Sequence, residues 1–445
     1  MGFGVPFPQV DRGTFSRFQA AIDPTWVLEA LTATGTATMR RRRFPAEQVV
    51  WLVVGMALFR DIPIIDVVRD LALVMPGTGA GRIAASAVMQ ARARLGPSPL
   101  RWLFEKCAEV WAKRSATRLG WRGLAVYGVD GTTVRVPDSP ENRERFGDQG
   151  AGGSRGVSGY PLVRVVTLMA LRSHLLLAAR LGPYGTSERK YARELWPIVP
   201  DDSLVVVDRG FMYAKDLVPL QSNGTNRHWL TRARKNNKWR VVKRLGPGDA
   251  LGEILVNRDA RREDPTLPER WSIRAIRYRR RGFREQTLLT SLLDAKRYPR
   301  DEIVALYHER WELELGFDEV KTELLDRQES IRSKTPAGVE QELWGVALAY
   351  NLVRLEMERA ADLAGVPPVR MSFVNCFRAI KFQLVFLAAV SPGKIPKVLE
   401  RFHHELVSCV LPPRRSERLY PRAVKIKMSN YPRKRPGACE GSCSS

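Results

Sequence analysis

The stretch Tyr307-His-Glu-Arg310-Trp-Glu-Leu-Glu314-Leu-Gly-Phe-Asp-Glu-Val-Lys321 decides how the rest of this 445-residue chain is interpreted. It lies inside Pro299–Leu325, where apolar residues recur at helical spacing, and this pattern predicts one long helix. At about 3.6 residues per turn, the four numbered residues fall within an arc of about 60°. The spacing therefore predicts a helix face on which one carboxylate stands among basic and phenolic groups.

Such a face suits a DNA end, because Glu314 can bind a metal ion while the basic and phenolic groups hold phosphate oxygens. The alternative is an exposed face with a helical ion pair, such as Arg310 with Glu314. Asp318 projects near the same face, so the spacing alone does not select Glu314. An adjoining apolar stripe predicts that this helix packs on a sheet. The stripe consists of Leu306, Leu313, Phe317, Val320 and Leu324.

Two aspartates each follow a short apolar run of the kind that forms a buried strand. Asp130 comes directly after Leu124–Val129, and Asp208 comes directly after Leu204–Val207. Catalytic groups gather at strand ends in open α/β sheets, and two carboxylates there can share divalent cations. Two such cations activate the attacking oxygen and stabilise the leaving oxygen in a displacement at phosphorus. The alternative is that each aspartate only caps a turn or a helix.

The segment between these two aspartates predicts a mixed α/β sheet flanked by helices. Leu162–Leu171 and Leu175–Leu181 are apolar runs separated by Arg172-Ser-His174, which indicates a hairpin. Ser187–Trp196 then indicates a helix before the next strand.

A basic, strand-rich section follows the second aspartate. Arg232–Arg244 holds seven basic residues and no acid, and Trp271–Tyr278 and Gln286–Leu293 have the character of strands. Val339–Glu358 predicts a further, strongly apolar helix. The predicted domains are a helical N-terminal DNA-binding domain (1–120), the first part of a catalytic core (121–224), a β-rich basic insertion (225–295), the second part of the core with C-terminal helices (296–410) and a basic C-terminal arm (411–445).

Both ends of the chain have features that favour contact with a polyanion. Pro45–Leu58, Pro63–Leu73 and Ile83–Leu95 predict helices, and the basic run Arg40–Arg43 stands just before the first of them. This section is either a helix-turn-helix-like DNA reader or a helical cap with a solvated basic edge. Arg414–Arg435 has nine basic residues against one acid, which indicates either an arm that contacts phosphates or a solvated tail.

An excess of positive charge distinguishes the whole chain: 72 Lys and Arg stand against 47 Asp and Glu, a net charge of +25. Such an excess favours a nucleic-acid partner, because Lys and Arg that neutralise phosphates release counterions. Five scattered cysteines are typical of a reducing cytoplasm. We expect no secretory signal and no membrane association, since the most apolar stretch, Val49–Phe59, is about half the length that spans a bilayer.

Several motifs together resemble one known family. The spacing Tyr307-x2-Arg310-x3-Glu314-x6-Lys321 is similar to the Y-R-E-K signature of DDE transposases in the insertion-element-four family. The stretch around it, Arg297–Leu315, resembles that family over its whole length. Further matches, in the family's order along the chain, are Phe44–Leu95 in the family's N-terminal domain, Val129–Thr133, Val207–Phe211, Gln341–Val353 and Tyr420–Lys425.

The resemblance implies a ribonuclease-H-like catalytic core with a β-strand insertion between the second aspartate and the glutamate. It implies that two Mg²⁺ (or Mn²⁺) ions are bound by a triad, with Glu314 and not Asp318 as its third carboxylate. It also implies that three signature residues contact the DNA backbone near the transposon end. The triad is Asp130, Asp208 and Glu314, and the DNA contacts are Tyr307, Arg310 and Lys321.

Some members of the family excise through a DNA hairpin, with a tryptophan of the insertion stabilising a flipped base. Trp229, Trp239 and Trp271 lie in the predicted insertion, but none directly precedes the signature helix. We therefore assign no such residue in this chain.

The sequence thus predicts a cut-and-paste DNA transposase that binds terminal inverted repeats and target DNA and works as a homodimer in a synaptic complex. The resemblance places it in the bacterial cytoplasm, associated with the nucleoid. Two alternatives remain: a ribonuclease-H-like nuclease that cuts without joining, and a DNA-binding repressor without catalytic activity. Intact carboxylates at all three triad positions argue against the repressor.

Overall fold

One mixed sheet organises the computed structural model, which describes residues 22–37, 44–70, 84–147, 159–280, 283–325, 331–387 and 392–413. Its strands are β1 Ala125–Arg135, β2 Leu162–Ala170, β3 Leu176–Pro183, β4 Ser203–Val207, β5 Arg227–Arg232, β6 Arg240–Gly246, β7 Asp249–Leu255, β8 Arg270–Tyr278 and β9 Gln286–Thr290. They lie in the order β3-β2-β1-β4-β5-β9-β8-β7-β6. β4 is parallel to both β1 and β5, and the remaining neighbours are antiparallel.

Helices pack on this sheet and on one another, which confirms the expected mixed α/β class. Before β1 they are α1 Pro24–Ala33, α2 Ala46–Leu58, α3 Ile64–Asp70, α4 Ala85–Leu95 and α5 Ser98–Arg118. Between the strands they are α6 Pro140–Phe146, α7 Glu188–Arg193, α8 Ala214–Ser222 and α9 Arg258–Glu263. After β9 they are α10 Arg300–His308, α11 Trp311–Asp318, a π-helix Glu319–Leu324, α12 Pro336–Ala364, α13 Phe373–Leu387 and α14 Ile395–Val407.

The two aspartates end up side by side, although only one of them ends a strand. β4 stops at Val207, directly before Asp208, as predicted. β1 does not stop at Val129: it continues to Arg135, so Asp130 lies within the strand and the prediction that it follows a strand end is wrong. The parallel ladder between β1 and β4 has its last rung at Val129 and Val207, and both aspartates come immediately after that rung.

The signature segment is not the single helix that its spacing predicts. α10 ends at His308, α11 begins at Trp311, and the last turn is a π-helix. A polar contact with another segment accompanies each departure. Between the two α-helices, Glu309 forms a two-pronged ion pair with Arg172, at 2.8 and 2.9 Å. In the π-helix, Glu319 turns inward to the buried Arg354, at 2.6 Å. A periodicity argument does not include these tertiary contacts.

Two glycines let α11 approach the sheet closely. A Cβ on Gly128 in β1 would stand 2.7 Å from Cδ1 of Leu313, and a Cβ on Gly316 would stand 2.6 Å from Cε of Met169 in β2. Since such contacts are far too short for real side chains, each glycine sets the distance between helix and sheet. α11 is thereby held directly over the strand that carries Asp130.

The N-terminal helices share a core with the rest of the protein. α2 is buried on nearly every side, and its Val53 packs against Gly345 of α12 so closely that a Cβ there would stand 2.6 Å away. Arg332 donates to the carbonyl groups of Met56, Phe59 and Ile62 around the end of α2. The predicted DNA-reading role of this section stays a prediction, because the basic run Arg40–Arg43 lies outside the described residues.

The strands between Asp208 and Glu314 extend the central sheet, because β9 pairs with β5. β8 contains the predicted strand Trp271–Tyr278, and β9 covers the first five residues of the predicted strand Gln286–Leu293. An ion pair between Arg274 and Asp249, both buried, fixes β8 against β7 at 2.5 Å. Neither the predicted C-terminal arm Arg414–Arg435 nor the motif Tyr420–Lys425 is among the described residues. In the described part of the chain, no helix combines the length and the apolar character that crossing a membrane requires.

Candidate active site

Asp130 stands on β1 in a confined, negatively charged setting. Its side chain is 23% exposed, and Oδ1 accepts a hydrogen bond from the backbone N–H of Gly131 at 2.9 Å. Burial raises the pKa of the Asp130 carboxyl; the Gly131 N–H, a hydrogen bond with Glu188 and the charge of Arg310 oppose this without cancelling it, and the charge of Asp208 adds to the rise. A group that is costly to ionise where it stands gains from a cation close by.

Asp208 begins the turn that leaves β4, and this turn is held firmly. Its Oδ1 accepts from the N–H of Gly210 at 2.6 Å, and its carbonyl oxygen accepts from the hydroxyl of Thr231 on β5 at 2.8 Å. Arg234 donates to the carbonyl oxygen of Arg209 at 2.6 Å, which ties the following section to the same turn. The carboxylate is therefore positioned by its own backbone and by the strand beside it.

Glu314 lies on α11, and Arg310 connects it to Asp130. Nη2 of Arg310 donates to Oε1 of Glu314 at 2.7 Å, and Nη1 of the same guanidinium is 3.8 Å from Oδ2 of Asp130. Glu314 is 40% exposed, so it can move without breaking the core. The helical ion pair that the spacing left open is thus present, and it is located at the aspartates.

The other carboxylates of this segment have partners elsewhere. Asp318 is exposed and accepts from the hydroxyl of Thr322 at 2.8 Å. Glu312 is buried against His174 at 3.0 Å. Glu319 is bound by Arg354. Among the carboxylates of Trp311–Leu324 for which the structure gives a contact, Glu314 alone is linked to an aspartate of the site, which supports the choice of Glu314 over Asp318.

A further carboxylate, Glu188, was not identified from the sequence. It is the first residue of α7, and its carboxyl group contacts that of Asp130. Burial, followed by the charge of Asp130, raises the pKa of Glu188 to about 7. Its Oε1 is buried and has no hydrogen-bond partner. The signal in the sequence was weak, since acids are common in the first turn of any helix.

The three predicted DNA-contacting residues do not lie together. Tyr307 is buried, and it faces the same groove as Asp208 and Arg310. Lys321 lies in the π-helix, beside a separate apolar cleft that includes Thr132 of β1. The predicted arc of about 60° assumed one unbroken α-helix, and the break in the helix removes that assumption.

A groove of about 580 Å³ opens directly beside Asp208. Five arginines and several aromatic rings line it, and Asp208 is the one acid among its described lining residues. Because the groove combines positive charge with ring faces, it suits a nucleic-acid strand. The lining residues are Asp208, Arg209, Arg232, Tyr278, Arg280, Phe283, Arg284, Gln286, Tyr307, His308, Arg310 and Trp311.

The site has the donor chemistry for a divalent cation but not a closed cage. Across the described ranges, no three His, Cys, Asp or Glu side chains already converge as metal ligands. Two observations fit a cation at this place. The carboxylates of Asp130 and Glu188 touch with Asp208 close by, and one buried Glu188 oxygen lacks a partner. Oxygen ligands of this kind are those that Mg²⁺ and Mn²⁺ prefer.

Comparison with known proteins gives consistent matches along the chain. The family described as Insertion element 4 transposase N-terminal matches residues 12–105, and the family described as Transposase DDE domain matches residues 121–352. The transposase InsG for insertion sequence element IS4, from Escherichia coli strain K12, is 38% identical over 412 residues, which cover 92% of each chain. InsZ from the same strain is 40% identical over 221 residues, 49% of this chain and 72% of InsZ. A piggyBac transposase in a synaptic complex with hairpin DNA aligns with a TM-score of 0.45 and 11% identity, covering 92% of this chain and 87% of that one.

Proposed function

The chain belongs to the insertion element 4 family of DDE transposases, and from this premise we propose that it performs cut-and-paste transposition. It cleaves DNA at the terminal inverted repeats of its element and joins the freed 3′-hydroxyl to target DNA. The observation that carries the proposal is the link from Glu314 through Arg310 to Asp130, beside Asp208 and at the mouth of a basic groove.

In this proposal Asp130, Asp208 and Glu314 hold two divalent ions, Mg²⁺ or Mn²⁺. The chemistry that ions bound there would supply is activation of the attacking oxygen and stabilisation of the leaving oxygen in an in-line displacement at phosphorus. Asp130 and Asp208 are preorganised by the sheet, because both directly follow the same rung of the ladder between β1 and β4. Glu314 completes the triad by giving up its hydrogen bond with Arg310 and turning toward Asp130 and Asp208. The guanidinium of Arg310 is then free to bind a phosphate oxygen.

The groove beside Asp208 receives the transposon end. Tyr307 and Arg310 line it and contact the DNA backbone near the scissile phosphate. Lys321 contacts the backbone at a different point, because it lines a separate cleft together with Thr132 of β1. Phosphate contacts of this kind set the register of the DNA and carry no sequence information.

The test uses the full chain with duplexes that carry the element's terminal repeats, in Mg²⁺ or Mn²⁺, with EDTA as the blank. We expect cleavage at the repeat end and, with pre-cleaved ends, joined products with target DNA. Glu314→Gln should lower cleavage by about a hundredfold to a thousandfold, as expected when a transition-state contact is lost, and should leave end binding intact. Asp318→Asn is the matched control and should retain activity. Cleavage without joining would identify a nuclease, and equal activity of Glu314→Gln and wild type would refute the triad.

We further propose that the working form is a homodimer on two paired ends, because two ends must be joined to a target in one event. Size-exclusion chromatography with light scattering on the DNA complex should give two protomers for two ends. One protomer on two ends would refute the homodimer. In the cell we expect the protein at the nucleoid, which fluorescence microscopy of a tagged chain would show.

A further inference from the structure

We propose that Glu188 is a fourth carboxylate of this active site and binds a divalent cation together with Asp130 and Asp208. This inference rests on the proposed function, since it assumes that the aspartates hold metal ions. It extends that function, because Glu188 lies outside the triad and outside the signature segment.

The fold brings Glu188 to the site from the side of the sheet opposite α11. Neighbouring residues of a strand point to opposite faces, so Gly128, which α11 covers, and Gly131 face different ways. α7 packs against β1 and β2. Its first turn is fixed by Ser187, whose hydroxyl accepts from the N–H of Lys190 at 3.3 Å. Glu188 therefore reaches Asp130 across the position of Gly131.

Gly131 provides the space that the Glu188 carboxylate occupies. A Cβ at position 131 would stand 2.2 Å from Oε1 and 2.6 Å from Cδ of Glu188. Any other residue there would push the carboxylate away from Asp130. Because residue 131 is glycine, the Glu188 carboxylate can lie against the carboxylate of Asp130.

The contact that the structure gives the Glu188 carboxyl group is with the carboxyl group of Asp130. Its Oε1 is buried and accepts no hydrogen bond. Within the described residues no ion pair involves Glu188, and the neighbouring Arg189 is committed to the buried Asp216 at 2.5 Å. Glu194, at the other end of α7, pairs in the ordinary way with Arg180 at 3.4 Å. The carboxylates of Glu188 and Asp130 repel each other when both are ionised, and the charge of Asp208 adds to this; a divalent cation among them relieves the repulsion, as a shared proton would.

Metal binding by the full-length protein without DNA tests this directly. Mn²⁺ is titrated and followed by electron paramagnetic resonance of the free ion and by calorimetry, and Ca²⁺ is added in thermal melts. We expect Glu188→Gln to weaken Mn²⁺ binding by at least about tenfold, within the range seen when a metal site loses a supporting group. The same variant should lose most of the Ca²⁺-induced rise in melting temperature. Glu194→Gln removes the same charge from the same helix and should bind Mn²⁺ like the wild type.

A second variant reaches the same carboxylate without removing it. Gly131→Ala should displace the Glu188 carboxylate and weaken Mn²⁺ binding, and in the Glu188→Gln background it should add little, because the two changes act on one interaction. Glu188→Asp, which keeps a carboxylate on a shorter stem, should bind with intermediate affinity. Circular dichroism spectra recorded alongside show which variants are folded. If Glu188→Gln is not folded, Mn²⁺ binding by Gly131→Ala alone and by Glu188→Asp decides the question, and wild-type affinity in both would overturn the inference.

Wild-type affinity for Mn²⁺ in folded Glu188→Gln would overturn the inference, as would full additivity of the two changes. Asp130→Asn separates this outcome from failure of the proposed function. If Asp130→Asn loses Mn²⁺ and Glu188→Gln does not, Glu188 is no ligand and the triad stands. If neither change affects Mn²⁺ binding, the metal-dependent function is refuted as well.

Discussion

The ion network beneath the signature segment allows one prediction to be worked out in detail. The Glu319 carboxylate accepts from Arg354 at 2.6 Å and from the hydroxyl of Tyr350 at 2.7 Å, and Nδ1 of His174 is 3.3 Å away. Burial raises the pKa of the Glu319 carboxyl, but Arg354 and His174 outweigh it and hold the pKa at about 2. The network anchors the π-helix that follows α11, so it supports the position of Glu314.

The change Arg354→Met keeps a long side chain and removes the charge. Arg354 is 1% exposed, so its loss leaves a buried carboxylate without its cation. Removal of one partner of a buried pair costs about 3–5 kcal/mol of unfolding free energy. The lowered pKa of Glu319 leads to a similar free energy, because a drop from 4.5 to about 2 corresponds to roughly 3 kcal/mol of unfolding free energy. Since the folded pKa lies below the unfolded one, this stability is present above about pH 4.5 and is lost as the pH falls toward 2.

Urea unfolding at pH 7, followed by circular dichroism and tryptophan fluorescence, measures the loss. The double variant Arg354→Met with Glu319→Gln should recover most of it, because no buried charge then remains. Arg101→Met breaks an exposed pair with Glu105 and should cost less than about 1 kcal/mol. A loss below about 1 kcal/mol for Arg354→Met alone would refute the reasoning, as would a double variant no more stable than the single one.

Three shorter predictions follow from the site and its supports. Arg310→Lys keeps the charge but not the planar fork, so cleavage should fall by about tenfold or more in a repeat-end assay while end binding changes less; unchanged cleavage would contradict the bridging role. Arg280→Ala with Arg284→Ala should lower the slope of log Kd against log salt by about 2, one for each lost phosphate contact; an unchanged slope would place the DNA outside the groove. Gly128→Ala should destabilise the protein by about 1–3 kcal/mol in thermal melts by pushing α11 outward, whereas Gly185→Ala, with nothing within 4 Å of the new Cβ, should not.

The apolar runs predicted the strands well because they report burial on both faces of a sheet. The prediction for Asp208 was correct for that reason, as β4 is buried over its whole length. Asp130 was placed at a strand end because the apolar run stops at Val129. The strand continues, since its backbone pairs with β2 to Arg135 while one face borders the site. Backbone hydrogen bonds between strands do not depend on side-chain polarity, so the polarity pattern could not show where β1 ends.

The parts of the site that were missed depend on contacts between distant segments. Glu188 and Asp130 are far apart in the chain, and neither position looks unusual without the other. The interruptions of the signature helix likewise lie where two of its glutamates, Glu309 and Glu319, pair with Arg172 and Arg354 from other segments. Helical spacing describes one segment by itself, so it placed Lys321 on the face of Arg310 when the structure puts it beside another cleft.

The pairing of β9 with β5 determines how this protein can be rearranged. A module joined by two flexible linkers can be deleted, exchanged or grafted onto another enzyme. Here the removal of β6–β9 would expose the free N–H and C=O groups of β5. An exposed strand edge of this kind can pair with another chain and cause aggregation. It would also remove the partner of Thr231, the residue whose hydroxyl holds the turn of Asp208. We therefore expect insertions and deletions to be tolerated best in the far loops, such as the connection between β6 and β7, and chimaeras between relatives should be joined there.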